Sequence, residues 1–310
     1  MTNVPTRNDR SAHGQPDIGQ KHKIAYMHVP KTSGSSVNLA LRTATNARNV
    51  NVGLDLSLFG EFRAFDDMSP EIRQQICTDP ASLERDVDLV LGHKSRSTLQ
   101  TAFPGFRIFT ILREPRARLI SQWCYWRSFS DDHLKIWGGW SEYIKLARQT
   151  LGSYLTDPRV AASTDNLVVR MLLWPDRLVP DHGFIAREMD EVVLDAARKA
   201  LNTLDFVGLM EDSDLDERLS EFLGLPFKRE RINETVQIRP ELRPDFSSEL
   251  SEHAFAALRA RTRLDAVLWA EVLQSVTPGR DPRTVGEQVL LAVLLRYVGS
   301  GVAKISTPES

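Results

Sequence analysis

The apolar run Ile24-Ala25-Tyr26-Met27 leads directly into the polar stretch His28-Val29-Pro30-Lys31-Thr32-Ser33-Gly34-Ser35-Ser36, and an amphipathic segment follows from Val37 to Leu41. A short apolar run bounded by turn residues reads as a buried strand. The stretch after it carries one lysine, one glycine and four hydroxyls, and reads as a tight loop opening a helix. Strand, hydroxyl- and glycine-bearing loop and helix start together make an anion cradle. Successive backbone N–H groups converge, the first helical turn adds the positive end of its dipole, and a lysine supplies a full charge.

The nucleotide-hydrolase loop G-x-x-x-x-G-K-[ST] places its lysine after the glycines. Here Lys31 comes before Gly34 and no glycine precedes it within the loop, so that pattern fits poorly.

Strand and helix patterns alternate along the rest of the chain. Helix is predicted over Ser36 to Thr45, and a short helix at Pro70 capped by Ser69. Asp88-Leu89-Val90-Leu91-Gly92-His93 reads as a buried strand delivering a polar residue at its carboxyl end, where ligands bind in open parallel sheets. Phe106 to Leu112 is the next strand. It ends at Arg113-Glu114-Pro115, and a helix follows with Glu114 and Pro115 suited to its N-terminus. Helical patterns follow at Trp140–Thr150, Asp165–Leu173 and Ala186–Asn202. Phe206-Val207-Gly208-Leu209 is a last strand, Leu215 to Leu223 a helix closed by Gly224, and Phe246 to Gln274 a long amphipathic helix. This alternation predicts a single α/β domain over 24–274 with a parallel β-sheet flanked by helices. A disordered N-terminal tail is expected over 1–23, and a C-terminal extension over 275–310.

A chain of 310 residues, 42% hydrophobic and 26% charged, can bury a substantial core. A net charge of −2 exerts no global pull on nucleic acid, so any anion site must be built locally. Cys77 and Cys124 have no C-x-x-C spacing, and the N-terminal stretch has no apolar leader, which together predict a reducing, cytoplasmic setting.

Arg113 and Ser121 lie eight positions apart, the arginine at a strand end and the serine two turns into the next helix. That spacing puts both on one helix face, where a charged fork and a hydroxyl can address one phosphate. The order Pro-Lys-Thr-x-Gly-x-Ser at 30–36 resembles the 5′-phosphosulfate loop of the sulfotransferases, which use 3′-phosphoadenosine 5′-phosphosulfate (PAPS). The Arg113/Ser121 pair resembles their 3′-phosphate signature, at the separation the family has. Gly92-His93 is similar to the Gly-His of the bacterial, carbohydrate 2-O-sulfotransferase-like branch. Residues 165–172, 206–209 and Arg231-Ile232-Asn233-Glu234-Thr235 resemble later segments of bacterial members. Ser33 stands where many relatives have glycine.

The resemblance implies a P-loop-like sulfotransferase fold and transfer of a sulfuryl group from PAPS to a hydroxyl, without a metal. It assigns His93 as general base and Lys31 as the charge-stabilising cation. Thr32, Ser33, Gly34, Ser35 and Ser36 would join Lys31 on the 5′-phosphosulfate, and Arg113 and Ser121 would take the 3′-phosphate; no residue is assigned to the adenine. His28 competes with His93 as base but reads as buried and structural, and Asp55 is a poor second. Glu114 is expected to cap its helix.

The acceptor implied is a carbohydrate or glycolipid hydroxyl. Trp123, Tyr125, Trp126, Phe129, Trp137 and Trp140 could stack on a ring, although core packing is the expected role for most of them. Val289 to Leu295 is too short to span a bilayer and reads as a docked terminal helix, with a membrane surface or a second subunit as the other readings. Two rival functions share the strand-loop-helix: a P-loop-type nucleotide kinase or phosphotransferase, and a non-catalytic nucleotide-binding protein.

Overall fold

In the computed structural model, which describes residues 23–230 and 238–299, the apolar runs line up as a five-stranded parallel sheet. Its strands are β1 (Ile24–Met27), β2 (Val50–Asn51), β3 (Leu89–Val90), β4 (Arg107–Leu112) and β5 (Phe206–Leu209), in the spatial order β2-β3-β1-β4-β5. The helices that matter for the site are α1 (Gly34–Thr45), α2 (Pro115–Arg127), α3 (Leu167–Leu173), α4 (Glu252–Val276) and α5 (Pro282–Gly299).

Alternate residues of each central strand face opposite layers. Ala25, Met27, Ile108 and Leu112 pack into a core shared with α3 and α4. Ile24, Tyr26, Phe109 and Ile111 pack against α1 and the helix Leu215–Leu223. Both faces are covered, which is why β1 carries four consecutive buried residues without alternation. The single-domain, helix-flanked parallel sheet is as expected.

The topology sets where a ligand can sit. From β1 the chain moves to one side for β2 and β3, then crosses to place β4 and β5 on the other. β1 and β4 are therefore neighbours from which successive connections diverge, and the crevice at their carboxyl ends is the default binding position. Met27, the last residue of β1, pairs with Thr110, whose hydroxyl donates to the Met27 carbonyl at 2.7 Å, and β4 runs on past it to Leu112.

The segment at 165–172 is a buried clamp. Asn166 takes a left-handed φ of 47°, and its side-chain oxygen accepts from Leu264 N–H at 2.8 Å. Asp265 on α4 accepts from the N–H groups of Val168 and Val169, capping α3 from a different helix. Asp165 is fully buried and accepts from Arg170 at 3.1 Å and from Ile185 N–H at 2.8 Å.

Two expectations change. The long helix from 246 is interrupted: Phe246–Glu249 ends, and α4 starts afresh with Ser251 accepting from Ala254 N–H. The helix expected over 140–150 breaks into short turns because Thr150 caps a new helix at Leu151. The region 49–65 yields β2 and a two-residue strand, Leu54–Asp55, which pairs with Ile76–Cys77 in a separate parallel ribbon. The expected tail (residues 1–22 of it) and Arg231-Ile232-Asn233-Glu234-Thr235 lie outside the described residues.

Breaking a buried ion pair by removing one partner costs about 3–5 kcal/mol. Asp165→Ala is expected to lose stability of that order in urea unfolding, with Asp165→Asn losing less because it keeps an acceptor for Ile185.

Candidate active site

Four strand ends contribute to one cavity of about 720 Å³: the loop after β1, Gly92-His93 after β3, Arg113 after β4, and Met210-Glu211 after β5. Of the residues expected in the site, Lys31, Ser33, Gly34, Ser35, His93, Arg113 and Ser121 line it. Thr32 and Ser36 do not. The Thr32 hydroxyl turns inward and donates to the Val29 carbonyl at 2.8 Å, which leaves the residue only its backbone N–H for a ligand. Ser36 is buried in the first turn of α1.

The loop is wound tightly. Lys31 and Ser33 both have positive φ, 69° and 64°, a conformation that costs side-chain-bearing residues energy and that clusters where backbone groups are aimed at a ligand. Ser33 precedes α1 without a side-chain cap. The first helical bond runs from Val37 N–H to Ser33 O, so the N–H groups of Gly34, Ser35 and Ser36 have no partner within the helix. Three free donors at a helix N-terminus, next to a lysine, suit a phosphate or sulfate oxygen cluster.

Gly34 is needed for a reason the sequence does not show. A Cβ there would run into Cε1 and Nε2 of His28, whose imidazole occupies that space. His28 is buried, stacked on Tyr26 and tilted against His93, and its Nε2 has no hydrogen-bond partner among the described residues.

His93 is held by its surroundings. Its Nδ1 lies 2.8 Å from the His28 carbonyl, which can only accept, so Nδ1 carries the proton and the neutral ring keeps its Nε2 lone pair free. Burial brings the His93 pKa down to about 4, against the opposing effect of that hydrogen bond and assisted by the Lys94 and Lys31 charges. Asp55 is not available as a base. Its carboxylate accepts from Ser57 N–H, Ser95 N–H and the Ser95 hydroxyl, while its own N–H donates to the His93 carbonyl. It positions His93 from behind.

The two anion loops touch. Arg113 donates to the Lys31 carbonyl at 3.0 Å, and its charge is the second cause, after burial, of a Lys31 pKa lowered to about 8. Neither cation makes a salt bridge among the described residues. The Lys31 ammonium sits 4.0 Å over the Tyr125 ring. Glu114 caps α2 as expected, accepting from Ala117 N–H at 2.6 Å. The Glu114 N–H is held by Glu211, whose carboxyl is raised in pKa by burial.

Sequence reasoning missed the contribution of α5. The helix that carries the apolar run at 289–295 packs on the domain through Val285, Leu290 and Val293, leaves Leu291 and Leu295 exposed, and brings Val289, Arg296 and Tyr297 to the cavity. Tyr297 O–H lies 3.3 Å from the Ser121 hydroxyl. Arg280, just before α5, lines the cavity too and donates to the Glu211 carbonyl. The segments that carry the resemblance stop at Thr235, and an arginine and a tyrosine after an apolar run carry no signal of their own.

Residues 16–137, which include Lys31, His93, Arg113 and Ser121, match the model of a family described as the sulfotransferase family. No curated protein matches the chain. Among solved structures it is distantly similar to mouse sulfotransferase SULT7A1 complexed with PAP, at 11% identity and a TM-score of 0.36, over 86% of this chain and 89% of that one. No helix among the described residues is long and apolar enough to cross a membrane.

Gly34→Ala is expected to destabilise the fold by about 1–3 kcal/mol through overpacking, and His28→Ala in the same chain is expected to restore most of it. Lys31 binds an anion only when charged. The affinity of the free protein for adenosine 3′,5′-bisphosphate should therefore fall as pH rises through about 8, with proton uptake on binding above that pH, both read by calorimetry.

Proposed function

We propose that the protein transfers a sulfuryl group from PAPS to a hydroxyl acceptor. The observation that carries this reading is the Arg113 bond to the Lys31 carbonyl, which joins two separate anion loops on one cavity wall with a neutral histidine in the same cavity. The residues fit a donor with charge at both ends. The free N–H groups of Gly34, Ser35 and Ser36, the hydroxyls of Ser33 and Ser35, and Lys31 would hold the 5′-phosphosulfate. Arg113 and Ser121 would hold the 3′-phosphate, with Arg296 as an added cation. The family match and the PAP in the distant mouse structure are consistent with that donor.

When bound, PAPS supplies an activated sulfuryl group: the acceptor oxygen bonds to sulfur as the bond from sulfur to the 5′-phosphate oxygen breaks, and the electron pair leaves with adenosine bisphosphate. His93 Nε2 takes the acceptor proton, because Nδ1 is committed to the His28 carbonyl. Lys31 offsets negative charge where the leaving oxygen forms, and does so without reorganising because the loop already holds it there. Asp55 fixes the backbone of His93, and Arg113 fixes the backbone of Lys31. The proton then passes from His93 to solvent. The similarity of Gly92-His93 to the carbohydrate-modifying branch favours a carbohydrate or glycolipid hydroxyl as the class of acceptor.

A base must be neutral to work, and one with a pKa of about 4 stays neutral well below the ordinary histidine range. The acid limb of the rate profile is therefore expected below pH 6, not near 6.5. His93→Ala should lower turnover by about 10²- to 10⁴-fold while calorimetry shows unchanged adenosine bisphosphate affinity; retained turnover would remove His93 from the mechanism. Thermal shift separates the rivals: PAPS and adenosine bisphosphate stabilise a sulfotransferase, ATP with Mg²⁺ a kinase. A protein that binds PAPS without ever transferring sulfate is the non-catalytic case.

A further inference from the structure

Besides Ser121, helix α2 brings one more polar side chain to the cavity: Gln122, only 3% exposed, which the donor assignment leaves without a task. Its amide is not free to turn over. Nη1 of Arg118, one helical turn earlier, lies 2.9 Å from the amide oxygen Oε1. A guanidinium can only donate, so the oxygen must face Arg118 and the NH2 must face away from it. Among the described residues the amide nitrogen makes no hydrogen bond. Gln122 therefore offers the cavity two N–H donors and no acceptor.

Arg118 gives this donor its strength. It is the largest fully buried charged side chain among the described residues, 1% exposed. Its Nε and Nη2 have no hydrogen-bond partner there, so the bond to Gln122 is the only one the guanidinium makes. Burial lowers its pKa to about 10, which still leaves it charged at neutral pH. Asp265 is the carboxylate that most opposes this shift, and its oxygens are already taken by the N–H groups of Val168 and Val169. A buried charge with a single hydrogen bond polarises the group that accepts it, and the N–H groups at the far end of the amide become stronger donors. Positive character reaches the cavity in this way without a second cation being exposed in it.

The place of Gln122 along α2 decides what it meets. Ser121, Gln122, Tyr125 and Trp126 all line the cavity, as neighbours three and four residues apart on one helix face do. Lys31 stands over the same turn. Its ammonium is 4.0 Å above the Tyr125 ring, and it acts electrostatically on the adjoining Cys124. Gln122 is thus next to the serine assigned to the 3′-phosphate and one turn from the ring under the lysine. The reacting group of the donor lies in that turn if Lys31 offsets charge on the leaving oxygen. A donor-only amide backed by a buried cation suits an anionic oxygen there.

We propose that Gln122 is a further binding residue for the reaction: its amide N–H2 donates to a sulfonate oxygen of PAPS, with Arg118 holding and polarising it from behind. The inference rests on the PAPS reading of the cavity and deepens it. The transferred group is then gripped from two elements, the loop after β1 and helix α2. Adenosine 3′,5′-bisphosphate has no sulfonate, so it cannot make this contact, and the two ligands separate the role of Gln122 from that of the phosphate residues.

The test measures PAPS and adenosine 3′,5′-bisphosphate on the full chain by calorimetry, with no acceptor present. Gln122→Glu keeps an acceptor for Arg118 and the length of the side chain, but sets a carboxylate oxygen where the N–H2 was. Its added charge opposes both ligands, so the readout is the ratio of the two affinities. PAPS should weaken by about 10- to 100-fold more than adenosine bisphosphate. Gln122→Met removes the donors without adding charge. It should weaken PAPS by about tenfold and adenosine bisphosphate by less than about twofold. Should Gln122→Met fold poorly because Arg118 loses its one partner, Gln122→Glu decides alone. An unchanged ratio overturns the inference, as does an effect confined to the KM of the acceptor. Failure of the unaltered protein to bind either ligand overturns the PAPS reading itself, and the inference with it.

Discussion

One hydrogen bond links the halves of this site: the Arg113 guanidinium donating to the Lys31 carbonyl. It exists because β1 and β4 are adjacent and parallel, with the end of β1 at Met27 opposite Thr110 near the end of β4. Had the crossover from β3 returned β4 to the outer edge, the two anion loops would open on different parts of the sheet. As it is, the arginine ties down the backbone of one loop while its charge remains available to a ligand. The same contact places two cations close together in a partly buried place, which is costly until an anion arrives.

That cost organises the electrostatics around it. Burial and the Arg113 charge lower the Lys31 pKa, and Lys31 in turn contributes to lowering that of His93. The cavity is thus poised with a cation that binding would stabilise and a histidine held neutral. Glu211 is the nearby carboxylate, but it is spent on Glu114 N–H and the Trp269 indole. Tyr125 gives the lysine a ring face to rest on. Beyond Tyr125 the same cavity is lined by Trp126, Phe129, Trp137 and Trp140, so its character changes from cationic to aromatic.

The His28–Gly34 contact shows how closely the loop depends on the strand before it. The glycine is placed where an imidazole occupies the space of a side chain, and the histidine carbonyl sets the tautomer of His93. One residue thus shapes both the loop after β1 and the tautomer of His93. Behind the site, the Asp165–Asn166–Asp265 clamp ties α3 to α4 and supports the layer beneath β1 and β4.

The sequence by itself determined the parallel sheet, four of its strands within the runs 24–27, 88–93, 106–112 and 206–209, the Glu114-capped start of α2, and the lysine, histidine, arginine and serine that meet in one cavity. These follow from local rules: apolar runs, caps and spacing act over a few residues and are written in the order of the chain. Tertiary structure alone decided the rest. The turning inward of Thr32, the need for glycine at 34, the arrival of Arg296 and Tyr297 from the last helix, and the gathering of residues 54–72 with 125–144 into an aromatic wall each join segments tens to hundreds of residues apart. No local pattern encodes such meetings, because what fixes them is the order of strands in the sheet and the shape of the core they enclose.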